Sequence, residues 1–182
     1  MLWALAVFLV GSGAVSAPPL GLGNRLLEAT PGQTLRYSIG EEAQVADVSR
    51  GGLFSAEVSL RKLPGRLNGS VGGEPVTMRL EPSRVDGRIG DNPIGLDVVR
   101  SGGELRIIGT FGVRAVALEV RASRIDGQVG PCFFRLAPEQ GIYLGQVSCG
   151  GPPRQVRLTV PVSLAARPDA EVAAMLVSLL AQ

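Results

Sequence analysis

The sequence has no histidine, only one lysine and few aromatic residues, and each scarcity weakens the case for a class of function. Histidine is the usual general base of serine and cysteine hydrolases and the most frequent transition-metal ligand, so its absence disfavours both kinds of site. Lys62 is the only lysine, whereas there are seventeen arginines. The net charge is +2, and no segment is rich in basic residues. A charge this small and dispersed does not indicate a nucleic-acid-binding surface.

The composition indicates one folded domain rich in turns. A chain of 182 residues is long enough for one well-buried domain and short for two. Hydrophobic residues make up 45% and charged residues 19%, as in globular rather than disordered proteins. The 25 glycines and the low aromatic content of 4% favour a sheet with many tight turns over a helical bundle.

The longest apolar run lies at the N-terminus. Leu2 to Val10 are all apolar and are followed by small residues up to Ala17. This pattern predicts a secretory signal peptide over residues 1–17 and export to the periplasm or the outside of the cell. The run is too short to be a good membrane span. Pro18 directly follows Ala17, so cleavage after Ala14 or Ser16 is an alternative. The run also lacks a preceding positive charge, and a buried N-terminal strand or helix is the alternative to a signal peptide.

Two cysteines are present, Cys132 and Cys149. A lone pair of cysteines in an exported protein usually oxidises, so we expect a disulfide between them. The alternative is two buried free thiols. A redox role has little support because the spacing is not C-x-x-C.

The middle of the chain contains an internal sequence repeat. Four short segments begin with arginine and have a glycine at their centre and another at their end, and a fifth, degenerate copy follows. The central glycines are spaced 18, 22, 18 and 18 residues apart. Each segment precedes a stretch with apolar residues at every second position, which predicts a strand with one buried face. The central glycines are Gly69, Gly87, Gly109, Gly127 and Gly145, and the alternating stretches are residues 76–80, 94–98, 116–120, 132–136 and 154–158.

The dipeptides Asn68-Gly69 and Asp126-Gly127 are also typical of two-residue hairpin turns. Ile108 occupies the equivalent position before Gly109, and a β-branched residue resists the positive φ that such a turn requires. We therefore place the glycines inside strands, on the apolar face, where they allow a close approach of whatever packs above them. The turns are expected at residues 72–75, 90–93, 130–131 and 150–153.

These patterns predict a mainly β domain over residues 18–182. Short links give an antiparallel up-and-down meander of about 12 strands, curled into a barrel or a strongly bent sheet. Residues 169–181 predict a helix that starts after Pro168 and is apolar on nearly every side. Such a helix is buried, so we expect it to pack in or over the curved sheet.

A meander from about Gln33 to Val162 followed by an apolar helix resembles the Tubby, LURP-one and phospholipid-scramblase superfamily. The resemblance implies a closed antiparallel barrel of about a dozen strands around a hydrophobic C-terminal helix. It covers most of the chain but includes no sequence motif, and the export signal and regular repeats depart from it. It therefore assigns no functional residue.

No set of residues predicts a catalytic, cofactor or metal site. Asp86 and Asp126 precede a strand glycine, unlike the calcium-binding nonapeptide, so we expect them to form ion pairs with neighbouring arginines. Glu41 and Glu42 are neighbours in a turn rather than a spaced pair for glycoside hydrolysis. A Ser–Lys dyad would require Lys62, which lies in a turn-like stretch. Asn68 starts a glycosylation sequon, which the repeat also explains.

The leading functional hypothesis is an exported, non-enzymatic scaffold or binding module without a cofactor. The alternatives are a carrier of a lipid or other apolar ligand inside the barrel and, third, a small outer-membrane barrel. Strands of about six residues are short for the 9–11 that a span needs. The partner is open, with a membrane surface or an apolar ligand as candidates. The arginines of the outer face could attract anionic lipid or polysaccharide, but interspersed acids nearly cancel their charge, which favours a role in solubility.

Overall fold

The computed structural model describes residue 27 and residues 32–182. The predicted signal peptide, residues 1–17, lies outside the described residues. Fourteen antiparallel strands form one closed barrel in chain order, with β1 hydrogen-bonded to both β2 and β14. The predicted antiparallel meander and its closure are confirmed.

The structure contains the following elements. The first seven strands are β1 (Thr34–Ile39), β2 (Glu42–Ser49), β3 (Gly52–Phe54), β4 (Val58–Leu63), β5 (Arg66–Val71), β6 (Glu74–Glu81) and β7 (Arg84–Ile89). The other seven are β8 (Asn92–Ser101), β9 (Glu104–Phe111), β10 (Arg114–Arg121), β11 (Arg124–Val129), β12 (Cys132–Glu139), β13 (Ile142–Ser148) and β14 (Arg154–Thr159). Two helices follow, α1 (Val162–Ala165) and α2 (Asp169–Leu180).

Alternation along the strands separates a dry interior from a wet exterior. In β10, Val116, Leu118 and Val120 are almost completely buried, while Ala117 between them is exposed. The same pattern recurs in β14, where Val156 and Leu158 are buried and Arg157 is exposed. Successive side chains of a strand point to opposite faces, so one face of every strand contributes to a single interior core.

Helix α2 occupies that interior. Every residue from Ala170 to Leu180 is buried, and the helix contacts β4, β6, β7, β8 and β9. A barrel of about eight strands is just filled by its own side chains, whereas a larger barrel encloses free space. A helix with its side chains is about 10–12 Å across, so α2 supplies the apolar volume that fourteen strands leave on the axis.

Charged contacts fix the N-terminal end of α2 at one mouth of the barrel. Arg100 at the end of β8 donates a hydrogen bond of 2.8 Å to Asp169, and this bond raises the pKa of the guanidinium. The buried carboxylate of Glu171 accepts contacts of 2.5 Å from Lys62 and 2.7 Å from Arg167. Arg167 also donates to the carbonyl oxygen of Ser49. A buried carboxylate requires such partners, so these contacts define where the helix enters.

The five central glycines lie in the middle of strands, as predicted, in β5, β7, β9, β11 and β13. Their role differs from the prediction. A Cβ atom at Gly109 would lie 1.9 Å from the carbonyl oxygen of Gly95 on the preceding strand, and φ at Gly109 is +148°. The glycines therefore admit the backbone of the neighbouring strand rather than a layer packed above them. This φ is also one that residues with a side chain rarely adopt, which favours glycine at the position.

The predicted meander of about 12 strands is confirmed as a barrel of fourteen, and the two additional strands are β2 and the three-residue β3. Two details of the prediction are wrong. Lys62 lies within β4, and the turn begins only after Leu63. The short helix α1, which follows β14 before the chain enters the barrel, was not predicted.

The close backbone contact at Gly109 gives a stability prediction. Gly109→Ala places a Cβ on a carbonyl oxygen at a φ that alanine rarely adopts, so we expect the free energy of unfolding to fall by at least about 2 kcal/mol. Gly151→Ala is the matched control, because no atom lies within 4 Å of its added Cβ. Denaturant unfolding of both variants is the measurement. Equal stability of the two variants would contradict this account of the glycines.

Candidate binding groove on the outer face

With α2 on the axis, the surfaces that a ligand reaches are the outer face and the two mouths. Two adjoining concavities of about 1100 and 460 Å³ lie on the outer face over β11 to β14 and the end of β1. Both are lined by Leu144, Gly145 and Gln146, so the two concavities adjoin at these residues. We call the two together the outer groove.

Two of the strand glycines form the floor of the outer groove. A Cβ at Gly127 would lie 2.0 Å from the carbonyl oxygen of Ala117, and one at Gly145 would lie 2.0 Å from that of Arg135. Both positions are only half-buried. Gly127 is paired with the buried Phe134 and Gly145 with the buried Leu136, so both glycines occupy inward positions of their strands. They therefore line the groove with their backbone.

A row of polar side chains crosses the groove in register. Asp126 on β11 is paired with Arg135 on β12, Arg135 with Gln146 on β13, and Gln146 with Gln155 on β14. Side chains directly opposite on antiparallel strands have Cβ atoms about 4.5–5.5 Å apart. The row therefore presents a carboxylate, a guanidinium and two amides side by side. These planar groups donate and accept hydrogen bonds.

Apolar side chains flank this row. Phe133 is paired with Ser148 across β12 and β13, and its side chain is 59% exposed although it is aromatic. Leu144, two residues from Gln146, lies on the other side of the row and is half-buried. The groove therefore offers an aromatic ring and an aliphatic side chain next to hydrogen-bonding groups, a combination typical of ligand sites.

The disulfide closes the end of the same hairpin. Cys132 and Cys149 form a bond that joins the start of β12 to the residue after β13, which confirms the predicted pairing. Cys132 precedes Phe133 and Cys149 follows Ser148, so the bond lies directly beside the groove. A covalent link across a hairpin restricts the separation of its two strands. It therefore keeps Phe133 and Ser148 opposite each other.

Ion pairs are concentrated on a different part of the barrel. Arg84 contacts Asp86 at 2.8 Å and Asp97 at 2.7 Å, and these bonds raise the pKa of the Arg84 guanidinium. Arg124 contacts Asp126 at 3.0 Å. These contacts fulfil the expectation that Asp86 and Asp126 pair with neighbouring arginines. The compensated charges extend from β6 to β11 rather than around the whole barrel.

Arg135 and Arg157 differ from those arginines. Both are exposed on the outer face, and within residues 32–182 neither has a carboxylate within ion-pairing distance. Arg135 lines the larger concavity and Arg157 the smaller one. Acidic and basic residues nearly balance over the sequence, but among the described residues these two arginines have no acidic side chain in direct contact.

A separate concavity of about 970 Å³ lies at the mouth where α2 ends. Ala181 and Gln182 line it together with Glu57, Glu74 and Arg114 from the surrounding turns and strands. The side-chain oxygen of Gln44, which also lines it, is buried and has no hydrogen-bond partner among the described residues. We favour the outer groove because it holds the strongly exposed aromatic ring of Phe133.

The other residues considered from the sequence are not brought together. Glu41 and Glu42 are exposed at the turn between β1 and β2, whereas Lys62 is engaged by Glu171 at the opposite mouth. Asn68 is half-buried in β5, and its side-chain oxygen has no hydrogen-bond partner in the part of the chain that the structure describes. No cluster of three or more cysteine, aspartate or glutamate side chains suited to a metal ion occurs among the described residues.

Sequence reasoning did not identify the outer groove. Phe133 and Arg135 were assigned to an alternating strand, but their proximity to Gln146 and Leu144 depends on the register between β12 and β13. The one available signal was the exposed position of Phe133 in that alternation, where a polar residue is the usual choice.

Among the described residues, the helices are all shorter or less apolar than one that crosses a membrane. Comparisons with family models, with curated proteins and with solved structures give no significant match to this chain.

Proposed function

We propose that this chain is an exported, non-catalytic binding module that recognises its ligand at the outer groove. The burial of α2 along the barrel axis carries the proposal, because it leaves the interior filled by the protein's own side chains. The outer groove supports it further, since an exposed aromatic ring adjoins a row of polar groups there.

Export is supported by two independent features. The apolar N-terminal run followed by small residues is typical of a signal peptide. The Cys132–Cys149 disulfide is consistent with an oxidising compartment, where such bonds form and persist. We propose the periplasm or the extracellular space as the compartment to which the protein is exported.

The non-catalytic part of the proposal rests on the groups in the groove. Its titratable residues are arginines and Asp126, and Asp126 is engaged by Arg124. Arginine stays protonated at ordinary pH and is a poor proton-transfer group. With no histidine in the sequence, the groove has binding groups but lacks a usual acid–base pair.

The alternatives have less support. Carriage of an apolar ligand inside the barrel would require α2 to leave, since Met175, Leu176 and Leu179 occupy that space. An outer-membrane barrel exposes an apolar band to lipid, whereas Arg79, Asp97 and Arg157 are exposed on the outside here. The resemblance to the Tubby, LURP-one and phospholipid-scramblase superfamily remains a proposal about architecture alone.

Export has a direct test. When the full chain is expressed in a bacterial host, we expect a shortened product in the periplasm that has no free thiol. A chain beginning at residue 18 is the control, and we expect it to stay in the cytosol. Cell fractionation, intact-mass measurement and thiol labelling provide the three readouts. A full-length product with two free thiols in the cytosol would contradict the proposal.

The groove has a test that does not depend on knowing the ligand. A library of small soluble sugars, carboxylates and aromatic fragments is added to ¹⁵N-labelled protein, and amide chemical shifts are recorded. Since the groove is the site with exposed aromatic and polar groups, we expect the largest shifts at Gly127, Phe133 and Gly145. Phe133→Ser is expected to abolish most hits.

Val99→Ser is the matched control, because Val99 is 55% exposed and Phe133 is 59% exposed. Val99 lies on β8, away from the groove. We expect this variant to keep the hits of the unmodified protein. Fragments that mainly shift the amide signals of α2 would favour the hypothesis of an apolar-ligand carrier. Fragments that still bind the Phe133→Ser variant would contradict a binding site in the groove.

A further inference from the structure

We propose that the ligand of the outer groove is an anionic polysaccharide, a sugar chain that carries repeated carboxylate or sulfate groups. This inference rests on the proposed function, because it names the class of ligand for the same groove. Three properties of the groove support it: its charge, the spacing of its arginines and the groups between them.

The charge of the groove favours an anion. Three arginines and one aspartate line the two concavities, and the aspartate, Asp126, is already engaged by Arg124 at 3.0 Å. Arg135 and Arg157 have no ion-pair partner within residues 32–182. A guanidinium matches a carboxylate or a sulfate through paired hydrogen bonds, and a free arginine in a concavity is suited to bind one.

The spacing of these arginines favours an extended anion. Arg135 is opposite Gln146, Gln146 is opposite Gln155, and Arg157 lies two residues along β14 from Gln155. With strands about 4.8 Å apart and about 3.3 Å per residue, the two Cα atoms are ~12 Å apart. One small anion fits one arginine, whereas a polymer with repeated charges engages both while lying along the groove.

The groups between the arginines match a sugar. Gln146 and Gln155 present amides that donate and accept, as required for hydroxyl groups. Beside them, the exposed ring of Phe133 offers a flat apolar surface to the C–H face of a sugar ring, and Leu144 adds an aliphatic contact on the other side of the polar row. An apolar wall with a few oriented polar groups gives both contact area and orientation.

An acidic peptide fits the groove less well. Extended peptides commonly bind β proteins by adding a strand to an open sheet edge, where main-chain hydrogen bonds supply affinity. In the described residues every strand is paired on both sides within the closed barrel, so such an edge is absent. A lipid surface is also disfavoured, because the arginines line a concavity rather than a protruding patch.

The test uses a hexasaccharide of galacturonic acid as the probe and neutral maltohexaose as the comparison, with affinity measured by calorimetry. We expect the acidic hexasaccharide to bind at least about tenfold more tightly. Binding should weaken severalfold between about 50 and about 300 mM NaCl, because salt screens exposed charges. Arg135→Gln and Arg157→Gln should each weaken binding about fivefold to tenfold.

Arg66→Gln is the matched control, since Arg66 is exposed, has no ion-pair partner among the described residues and lies on β5, outside the groove. It should leave the affinity unchanged. Equal weakening by Arg66→Gln would indicate general attraction to a basic protein and would overturn the inference. Binding to anionic-lipid vesicles, with no binding to the acidic hexasaccharide, would overturn it in favour of a membrane surface.

The two proposals fail in different ways. Fragment hits in the groove without binding of the acidic hexasaccharide would overturn the polysaccharide inference alone. Absence of any groove hit, with the hexasaccharide bound elsewhere or not at all, would overturn the proposed binding site as well.

Discussion

Burial of the apolar helix α2 inside the barrel is the interaction on which the rest of the structure depends. Fourteen strands enclose more space than their own side chains fill, and α2 supplies the missing apolar volume. Each fully buried aliphatic side chain contributes about 1.5–3 kcal/mol relative to exposure, so the helix is a large part of the core. The ion pairs of Asp169 and Glu171 then fix where the helix enters. Without the helix, the inner faces of the strands would have no partner to pack against.

The same strand glycines link the interior to the outer surface. Each leaves room for a carbonyl oxygen of the neighbouring strand, which would lie only 1.6–2.0 Å from an added Cβ. Gly127 and Gly145 also line the outer groove with their backbone. The disulfide adds a covalent restraint on the hairpin that carries Phe133 and Arg135.

Most of the fold could be predicted from local pattern, because alternation and turn residues act over a few positions. The strands from β4 to β14 and the helix at residues 169–181 follow from such signals, and the position of Gly109 within a strand followed from Ile108 beside it. The missed strands have weak signals: β3 has three residues, and β2 places the polar Gln44 at an inward position. The outer groove could not be predicted, since it depends on the register of β12 against β13 and on which arginines find acidic partners. Those are properties of the assembled barrel.

Hydrogen–deuterium exchange of the amides of α2 tests the central claim most directly. If the barrel encloses the helix, amides from Val172 to Leu180 open only when the whole domain unfolds. Their exchange should therefore be as slow as that of the central barrel strands, and its free energy should equal the global free energy of unfolding. Exchange of α2 at the rate of an exposed helix, while the strands remain protected, would show that the barrel stands without the helix and would contradict the account.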